Sequence, residues 1–448
     1  MKNDDNCDIC KNNIPFDMPD EIINATIDNK LVIFAGSGIS TESKIVNPLS
    51  FYEEIALELD QDPRKIELTF SELMSKYCEK FNGKKELLRK IKDRIDYIKS
   101  FQSSYGTATR FHNELAPIFL IKEIFTTNWD DFFEIECGAI PFVTSDDLVF
   151  WDIPKRRVFK IHGSINNIGS IVATKEDYEK CYKRLKSQFI GNYLKVSLST
   201  KLVVFIGYSF QDEDFKRLYS ILKEELGELM PHSYIVTLDK NINNKIDSLL
   251  ITPIITDGTY FIQTLKNILI KENVLMDNLM DSCAELMLRD IEIVHYKIMS
   301  KLKMSKYPNV LYTYAYQDGV LDALYRFIKL KSTGDYYNKN NYSEWLCSYN
   351  KIRKEKVRSK KYEDVAYIDG YTIGLRILLM ENIEILKNFP YYYIYGLKKD
   401  IWDFNEYKSI IKSKKIFHKG AYDNEVKLIS KVKIDEGNYI YQHTPYLY

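Results

Sequence analysis

The sequence predicts a layered α/β domain with a largely parallel sheet, followed by a mostly α-helical domain. Three observations carry that prediction. Up to residue 271, short apolar runs alternate with segments of helical spacing, the pattern of strand–helix–strand units. Four of these runs end in short polar or glycine-bearing loops: Ala35-Gly36-Ser37-Gly38-Ile39-Ser40, Thr126-Thr127-Asn128-Trp129-Asp130, Ile161-His162-Gly163-Ser164 and Gly207-Tyr208-Ser209. Ligands of open parallel sheets bind outside the carboxyl ends of the strands, so loops of this kind converge on one crevice. From residue 272 onward the strand pattern fades, and 276–301, 311–330 and 368–385 show the mixed spacing of amphipathic helices.

Taken in order, residues 1–17 read as an N-terminal extension, 18–271 as the α/β domain and 272–448 as the helical domain. Strands are expected at 31–35, 122–127, 158–161, 201–206, 234–238 and about 253–256, each rich in Val, Ile, Leu or Phe. Between the first two, residues 51–100 place Phe51, Ile55 and Leu59, then Leu73, Tyr77 and Phe81, then Leu87, Leu88, Ile91 and Ile95 at helical intervals, which predicts a multi-helix insertion. The chain holds 34 tyrosines, and such rings suit surfaces that bury an apolar body and keep a polar tip, subunit interfaces among them.

Composition narrows the classes. Lys plus Arg and Asp plus Glu balance at 63 each, so no whole-molecule field draws the chain to nucleic acid or an anionic membrane. The run Lys351–Lys361, with seven cations in eleven residues, reads as a solvated helix face rather than a nucleic-acid contact. No stretch approaches the roughly 20 apolar residues of a membrane span, and seven scattered cysteines suit reduced thiols, which places the expected compartment in the cytoplasm. Cys7 and Cys10 form one Cys-x-x-Cys pair, half of a structural zinc set, and no metal is expected. No Gly-x-x-x-x-Gly-Lys-Ser/Thr loop occurs, so an ATPase role belongs to another chain.

The loops themselves suggest chemistry. Gly36-Ser37-Gly38 lets backbone approach a pyrophosphate, although the third glycine of the dinucleotide fingerprint is replaced by Thr41 and a Gly-Ser-Gly turn is often only a turn. A carboxamide at Asn128 can hold a water or a ribose hydroxyl, and Asp130 can accept from an amide; both residue types also serve as N-caps, here for a helix starting at Phe132. His162 titrates near neutrality and stands at a strand end beside Gly163, which leaves room for a substrate; a strand-end histidine is also an ordinary hydrogen-bonded residue.

In order and content the four loops resemble the NAD-binding domain of sirtuins. Ala35–Ser40 is a variant of the family's Gly-Ala-Gly-Ile-Ser, Asn128-Trp129-Asp130 of the end of Gln-Asn-Ile-Asp, His162-Gly163 of its His-Gly, and Gly207-Tyr208-Ser209 of its Gly-Thr-Ser, in the form typical of bacterial antiphage systems. The resemblance covers roughly residues 18–270. It implies a Rossmann-like fold, with Asn128, His162 and Asp130 as catalytic residues and Ala35, Gly36, Ser37, Gly38, Ser40, Thr127, Gly207, Tyr208 and Ser209 contacting NAD+. Two departures stand out. Thr41-Glu42-Ser43-Lys44-Ile45 replaces the Pro-Asp-Phe-Arg of many deacylases, and only Cys181 lies between residues 163 and 282, where deacylases carry a four-cysteine zinc module.

Without that module the acyl-lysine groove is weakened, and the resemblance implies an NAD+ hydrolase of antiphage defence, with NAD+ as substrate. The alternatives are an NAD-dependent protein deacylase and a noncatalytic NAD or ADP-ribose-binding module. Implied partners are a second copy of the chain, and a HerA-like ATPase or another phage-sensing chain, with residues 272–448 as the assembly or regulatory domain; neither membrane nor nucleic acid is an expected partner.

Overall fold

The computed structural model describes residues 10–208, 219–220, 223–224, 227, 231–242, 250–277, 279–380, 390–431 and 442–445. It divides into two compact units, the first ending at Leu275 and also holding Ser332–Gly334, the second comprising Met276–Lys331 and Asp335–Tyr448.

The first unit is built on a seven-stranded, wholly parallel sheet: β1 Leu31–Ala35, β2 Glu123–Thr126, β3 Ile140–Phe142, β4 Arg157–Lys160, β5 Leu202–Ile206, β6 Ser233–Thr237 and β7 Ile251–Ile255. The order is β3-β4-β2-β1-β5-β6-β7. From β1 at the centre the chain builds outward first to one side and later to the other, so the crevice at the carboxyl ends of β1, β2 and β5 is a topological switch point. Burial on both faces explains the continuous apolar runs that made the inner strands readable.

Alternate residues serve opposite layers. Phe142, Phe159, Phe125, Phe34 and Phe205 stand in register across five strands and pack ring against ring, stacked or tilted, with centroids 4.7–6.1 Å apart. On the other face Ile33, Ile124, Val158 and Val204 form a second core with Phe111, Phe261 and Leu265. Each fully buried side chain of this size contributes about 1.5–3 kcal/mol. β3 was absent from the expected strands: it has only three residues, contains Pro141 and lies at the sheet edge, where proline is tolerated but little apolar pattern is needed.

The insertion between β1 and β2 forms helices Phe51–Glu58, Phe70–Lys80 and Lys84–Ser100. Reciprocal capping boxes start the first two, Ser50 with Glu53 and Thr69 with Glu72. Asn82 and Gly83, at φ 55° and 128°, end the second and begin the third. The predicted stripe is buried at Phe51, Ile55, Leu73, Tyr77, Leu87, Ile91 and Ile95, whereas Phe81 sits exposed at a helix end.

The second unit is helical, as predicted: Leu279–Lys301, Val310–Leu330, Lys339–Arg358, Tyr362–Leu378, Phe404–Lys412 and Lys419–Lys431. Val310–Leu330 and Tyr362–Leu378 approach backbone to backbone. A Cβ on Gly319 would lie 2.0 Å from the Tyr367 carbonyl oxygen and one on Gly370 1.8 Å from that of Tyr316. Many tyrosines fill this unit's own core, with Tyr312 and Tyr316 donating their hydroxyls to the Ala421 and Pro390 carbonyls. The basic run lies on and just beyond the helix Lys339–Arg358, with Arg353 paired to Asp369 and Lys356 to Asp364 while Lys351, Lys354, Lys360 and Lys361 are exposed. Among the described residues no helix is long and apolar enough to cross a membrane.

Candidate active site

The loops after β1 and β5 are locked together by main chain. Gly36 N–H donates to the Ile206 carbonyl at 2.8 Å and Gly38 N–H to that of Gly207 at 3.0 Å. A Cβ on Gly36 or Gly38 would stand 2.6 or 2.8 Å from the Gly207 carbonyl oxygen, and Gly207 itself sits at φ +78°. The three glycines are therefore required by the contact between the two loops, and two of the N–H groups at this turn are already used inside the protein rather than left for a phosphate. Tyr208 extends the lock: its hydroxyl lies 2.9 Å from Thr127 Oγ1 and donates to the Ala35 carbonyl, which also accepts from Thr126 Oγ1.

The loop after β2 brings two predicted residues into play. Asn128 is 3% exposed; its backbone N–H donates to Thr126 Oγ1, and its Nδ2 donates to the Gly36 carbonyl at 3.2 Å. Its carboxamide oxygen is buried and has no partner among the described residues. Asp130 accepts from Ser40 Oγ at 3.1 Å and from the Phe132 N–H at 3.2 Å, so it caps the following helix while facing the cavity. Burial raises its pKa, opposed chiefly by the nearby Lys160 ammonium, which donates to the Asp130 carbonyl and pairs with Glu134. Asp131, directly before that helix, makes no capping bond and pairs with Lys99.

His162 follows β4 and is 2% exposed, with its ring edge-on to Tyr178 at 5.0 Å between centroids. The Gly163 turn has φ +83°, and a Cβ there would lie 2.3 Å from the Ser170 carbonyl oxygen. That space is filled by the protein's own chain, which corrects the expectation that Gly163 leaves room for a substrate. The His162 carbonyl accepts from Val172 N–H and the Trp129 carbonyl from Ile165 N–H, fastening this loop to its neighbours.

Among the described residues, two cavities on this crevice hold the residues in question. One, about 820 Å³, is lined by Ser37, Thr127, Asn128, Asp130 and His162. The second, about 310 Å³, is lined by Gly38, Gly207 and Tyr208 together with Asp239 and Asp257. Both fall in the size range of ligand pockets. Ala35, Gly36 and Ser40 line neither cavity and hold the walls instead. Ser209 and Cys7 lie outside the described residues. Among the described residues no three His, Cys, Asp or Glu side chains converge as a metal-ligating group.

The larger cavity is also lined by Glu42, Arg94, Trp129 and Tyr178, none of which the sequence alone marks as a site residue. Arg94, from the helical insertion, pairs with Glu42 at 3.3 Å and Glu54 at 2.9 Å. Burial raises the Glu42 pKa, with Arg94 opposing it. Residues 41–45 had been marked only as a departure; the Glu42–Arg94 pair joins that segment to the insertion. Trp129 packs against Phe51 and Phe70 of the insertion, both at 6.1 Å between centroids.

A parallel α/β sheet with loops converging at its switch point places a ligand crevice at the carboxyl edge, the arrangement of the doubly wound class of folds. The comparison with known proteins narrows it: residues 122–253 match the SIR2-like domain family, and the first unit carries a sirtuin-like domain. The chain is 29% identical over 214 residues to the NAD(+) hydrolase ThsA of Cytobacillus dafuensis, covering 46% of this chain and 41% of that protein. It is 26% identical over 230 residues to the NAD(+) hydrolase ThsA of Enterococcus faecium, covering 48% and 45%. To the Defense-associated sirtuin 2 of Bacillus subtilis it is 24% identical over 214 residues, covering 46% and 20%. The chain thus spans less than half the length of these curated relatives.

Proposed function

We propose that the first unit is an NAD+ hydrolase that cleaves the nicotinamide–ribose bond, giving nicotinamide and ADP-ribose. The observation that carries this reading is the buried Asn128 carboxamide oxygen, unpartnered among the described residues, in a cavity shared with His162 and Asp130. A buried acceptor without a partner costs about 1–3 kcal/mol, which a bound water or hydroxyl recovers. The similarity to proteins named NAD(+) hydrolase supports the same substrate.

The chemistry follows from positioning. The C1′–N bond breaks with its electron pair passing to the pyridinium nitrogen, so nicotinamide leaves neutral and positive charge develops on the ribose as an oxocarbenium. Water held on Asn128 adds to C1′, its proton passing by way of a ribose hydroxyl to the His162 imidazole, and Asp130 accepts from the carboxamide amine. The nicotinamide half would occupy the larger cavity and the adenosine half the smaller, with Ser37, Gly38, Gly207 and Tyr208 between them. Depletion of cytoplasmic NAD+ during phage infection is the role that fits such an activity. The second unit would gate it through assembly with another copy or with a HerA-like or other phage-sensing chain; light scattering of the full chain with and without activation reads this directly.

The deciding experiment is mass spectrometry of products from NAD+ in the presence and absence of an acetyl-lysine peptide. The proposal expects ADP-ribose in both. Appearance of acetyl-ADP-ribose only with peptide would replace it with a deacylase.

A further inference from the structure

We propose that Lys160 is a positioning residue of the larger cavity: its buried ammonium fastens the loop that carries Asn128 and Asp130 to the end of β4, the strand that delivers His162. The inference rests on the NAD+ reading of that cavity and adds to it what holds the two halves of the site in register.

Asn128 and His162 come from different strands, so their separation depends on what joins the loop after β2 to the end of β4. Main chain begins the junction: Thr126 stands opposite Lys160 in the parallel ladder, Ile161 N–H donates to the Thr126 carbonyl at 2.9 Å, and Ile165 N–H to that of Trp129 at 2.8 Å. The Lys160 side chain, 0% exposed, continues it. Its Nζ donates to the Asp130 carbonyl and lies 3.2 Å from Glu134 Oε1, on the helix Phe132–Cys137 that follows the loop. Packing alone would favour a different residue here. Val158, two positions earlier on the same strand, belongs to an apolar core with Ile124, Phe111 and Phe133, and successive odd or even positions of a strand share a face. A hydrophobic side chain of similar volume generally packs at such a position at least as well as a buried ion pair. What an ammonium adds is direction, because its hydrogen bonds are satisfied only when the Asp130 carbonyl and Glu134 sit in one place.

The same ammonium acts on Asp130 as a charge. The titratable groups around that carboxyl are Lys160 from β4, Glu134 from the following helix, Asp131 with its partner Lys99, Tyr105 with its partner Glu136, and His162 in the same cavity. His112, near Lys160, is kept neutral by burial. Of these cations Lys160 bonds residue 130 itself, and its charge is the largest influence opposing the rise that burial imposes on the Asp130 pKa. Removing the cation therefore loosens the loop and, in the same step, keeps Asp130 protonated to a higher pH.

The test is calorimetric titration of the full-length protein with carba-NAD+, a non-hydrolysable analogue of NAD+, across a series of pH values, with circular dichroism reading the folded fraction at each. Wild type is compared with Glu134→Gln, with Lys160→Arg, and with the double variant Lys160→Met/Glu134→Gln, which removes the cation together with the carboxylate that would otherwise be left buried and uncompensated. Glu134→Gln and Lys160→Arg keep a cation on the Asp130 carbonyl and are expected to bind within about twofold of wild type. The double variant is expected to bind about tenfold more weakly at neutral pH and to lose affinity on acidification about one pH unit earlier. A folded double variant with wild-type affinity overturns the proposal. Weaker binding with an unshifted pH profile also overturns it, by reducing Lys160 to a packing residue, as does a tenfold loss in folded Glu134→Gln or Lys160→Arg. Should the double variant not fold, the two single variants decide, and both must keep wild-type affinity. The two claims fail separately. Wild-type protein that binds carba-NAD+ with this dependence on Lys160 but never consumes NAD+ contradicts the hydrolase reading alone. Wild type that releases nicotinamide while the double variant binds as it does contradicts the Lys160 proposal alone, and wild type that binds no carba-NAD+ contradicts both.

Discussion

His112 makes the site-bearing unit sensitive to acid, and the size of the effect can be worked out. The side chain is fully buried, 4.5 Å from the Phe133 ring between centroids and edge-on to Phe111 and Phe132. Burial, reinforced by the Lys160 ammonium, pushes its pKa from 6.5 down to about 3. The folded pKa is depressed, so the folded state keeps a neutral imidazole while the unfolded chain takes up a proton below 6.5. Stability from this residue is complete above that value and is lost as pH falls toward 3. At about pH 5 the unfolded state gains roughly 2 kcal/mol from protonating His112, against roughly 0.1 at about pH 7.5. His112→Phe and His112→Leu remove the titrating group and keep an apolar filling. Urea unfolding followed by tryptophan fluorescence at the two pH values should show wild type losing about 2 kcal/mol more than either variant. Equal losses in wild type and both variants would refute the reasoning.

Other perturbations test other parts of the structure. Gly38→Ala places a methyl 2.8 Å from the Gly207 carbonyl oxygen, where backbone must move; thermal unfolding should show a loss of about 1–3 kcal/mol together with lost NAD+ binding, and unchanged stability would contradict the loop-to-loop packing. Glu425 in the second unit is fully buried and its carboxyl is pushed up to about 9 by that burial, so the folded state retains a proton that the unfolded chain loses above 4.5. Its contribution to stability therefore declines as pH rises from 4.5 toward 9, and Glu425→Gln should flatten the alkaline fall in the second unit's melting temperature. Gly370→Ala should destabilise the second unit by several degrees in calorimetry, since its Cβ would meet the Tyr316 carbonyl oxygen at 1.8 Å.

What the sequence disclosed depended on where each residue stands. The inner strands announce themselves because both faces are buried, so Leu31–Ala35 and Leu202–Ile206 are unbroken apolar runs. Asn128, Asp130 and His162 were legible because each follows a short strand with an apolar centre, Ile124-Phe125 or Val158-Phe159, and one sheet's carboxyl edge brings them to one cavity. Glu42 and Arg94 were not, because an ion pair between residues 52 positions apart leaves no local trace. The edge strand at Ile140–Phe142 is too short for a period, and the contact of Gly319 and Gly370 with facing backbones is visible only once the helices are placed side by side. Gly163 was read as making space for a ligand, but its own chain at Ser170 occupies that space.

The central claim is that Asn128 and His162 act on one bound NAD+. Its most direct test is NAD+ consumption by the purified full-length chain, alone and with the protein encoded by its genomic neighbour, measured beside Asn128→Ala and His162→Ala under the same conditions. The account predicts nicotinamide release by the wild type and none by either variant, with circular dichroism spectra that superimpose. Turnover retained by both variants, or a wild type that releases no nicotinamide under either condition, would contradict it.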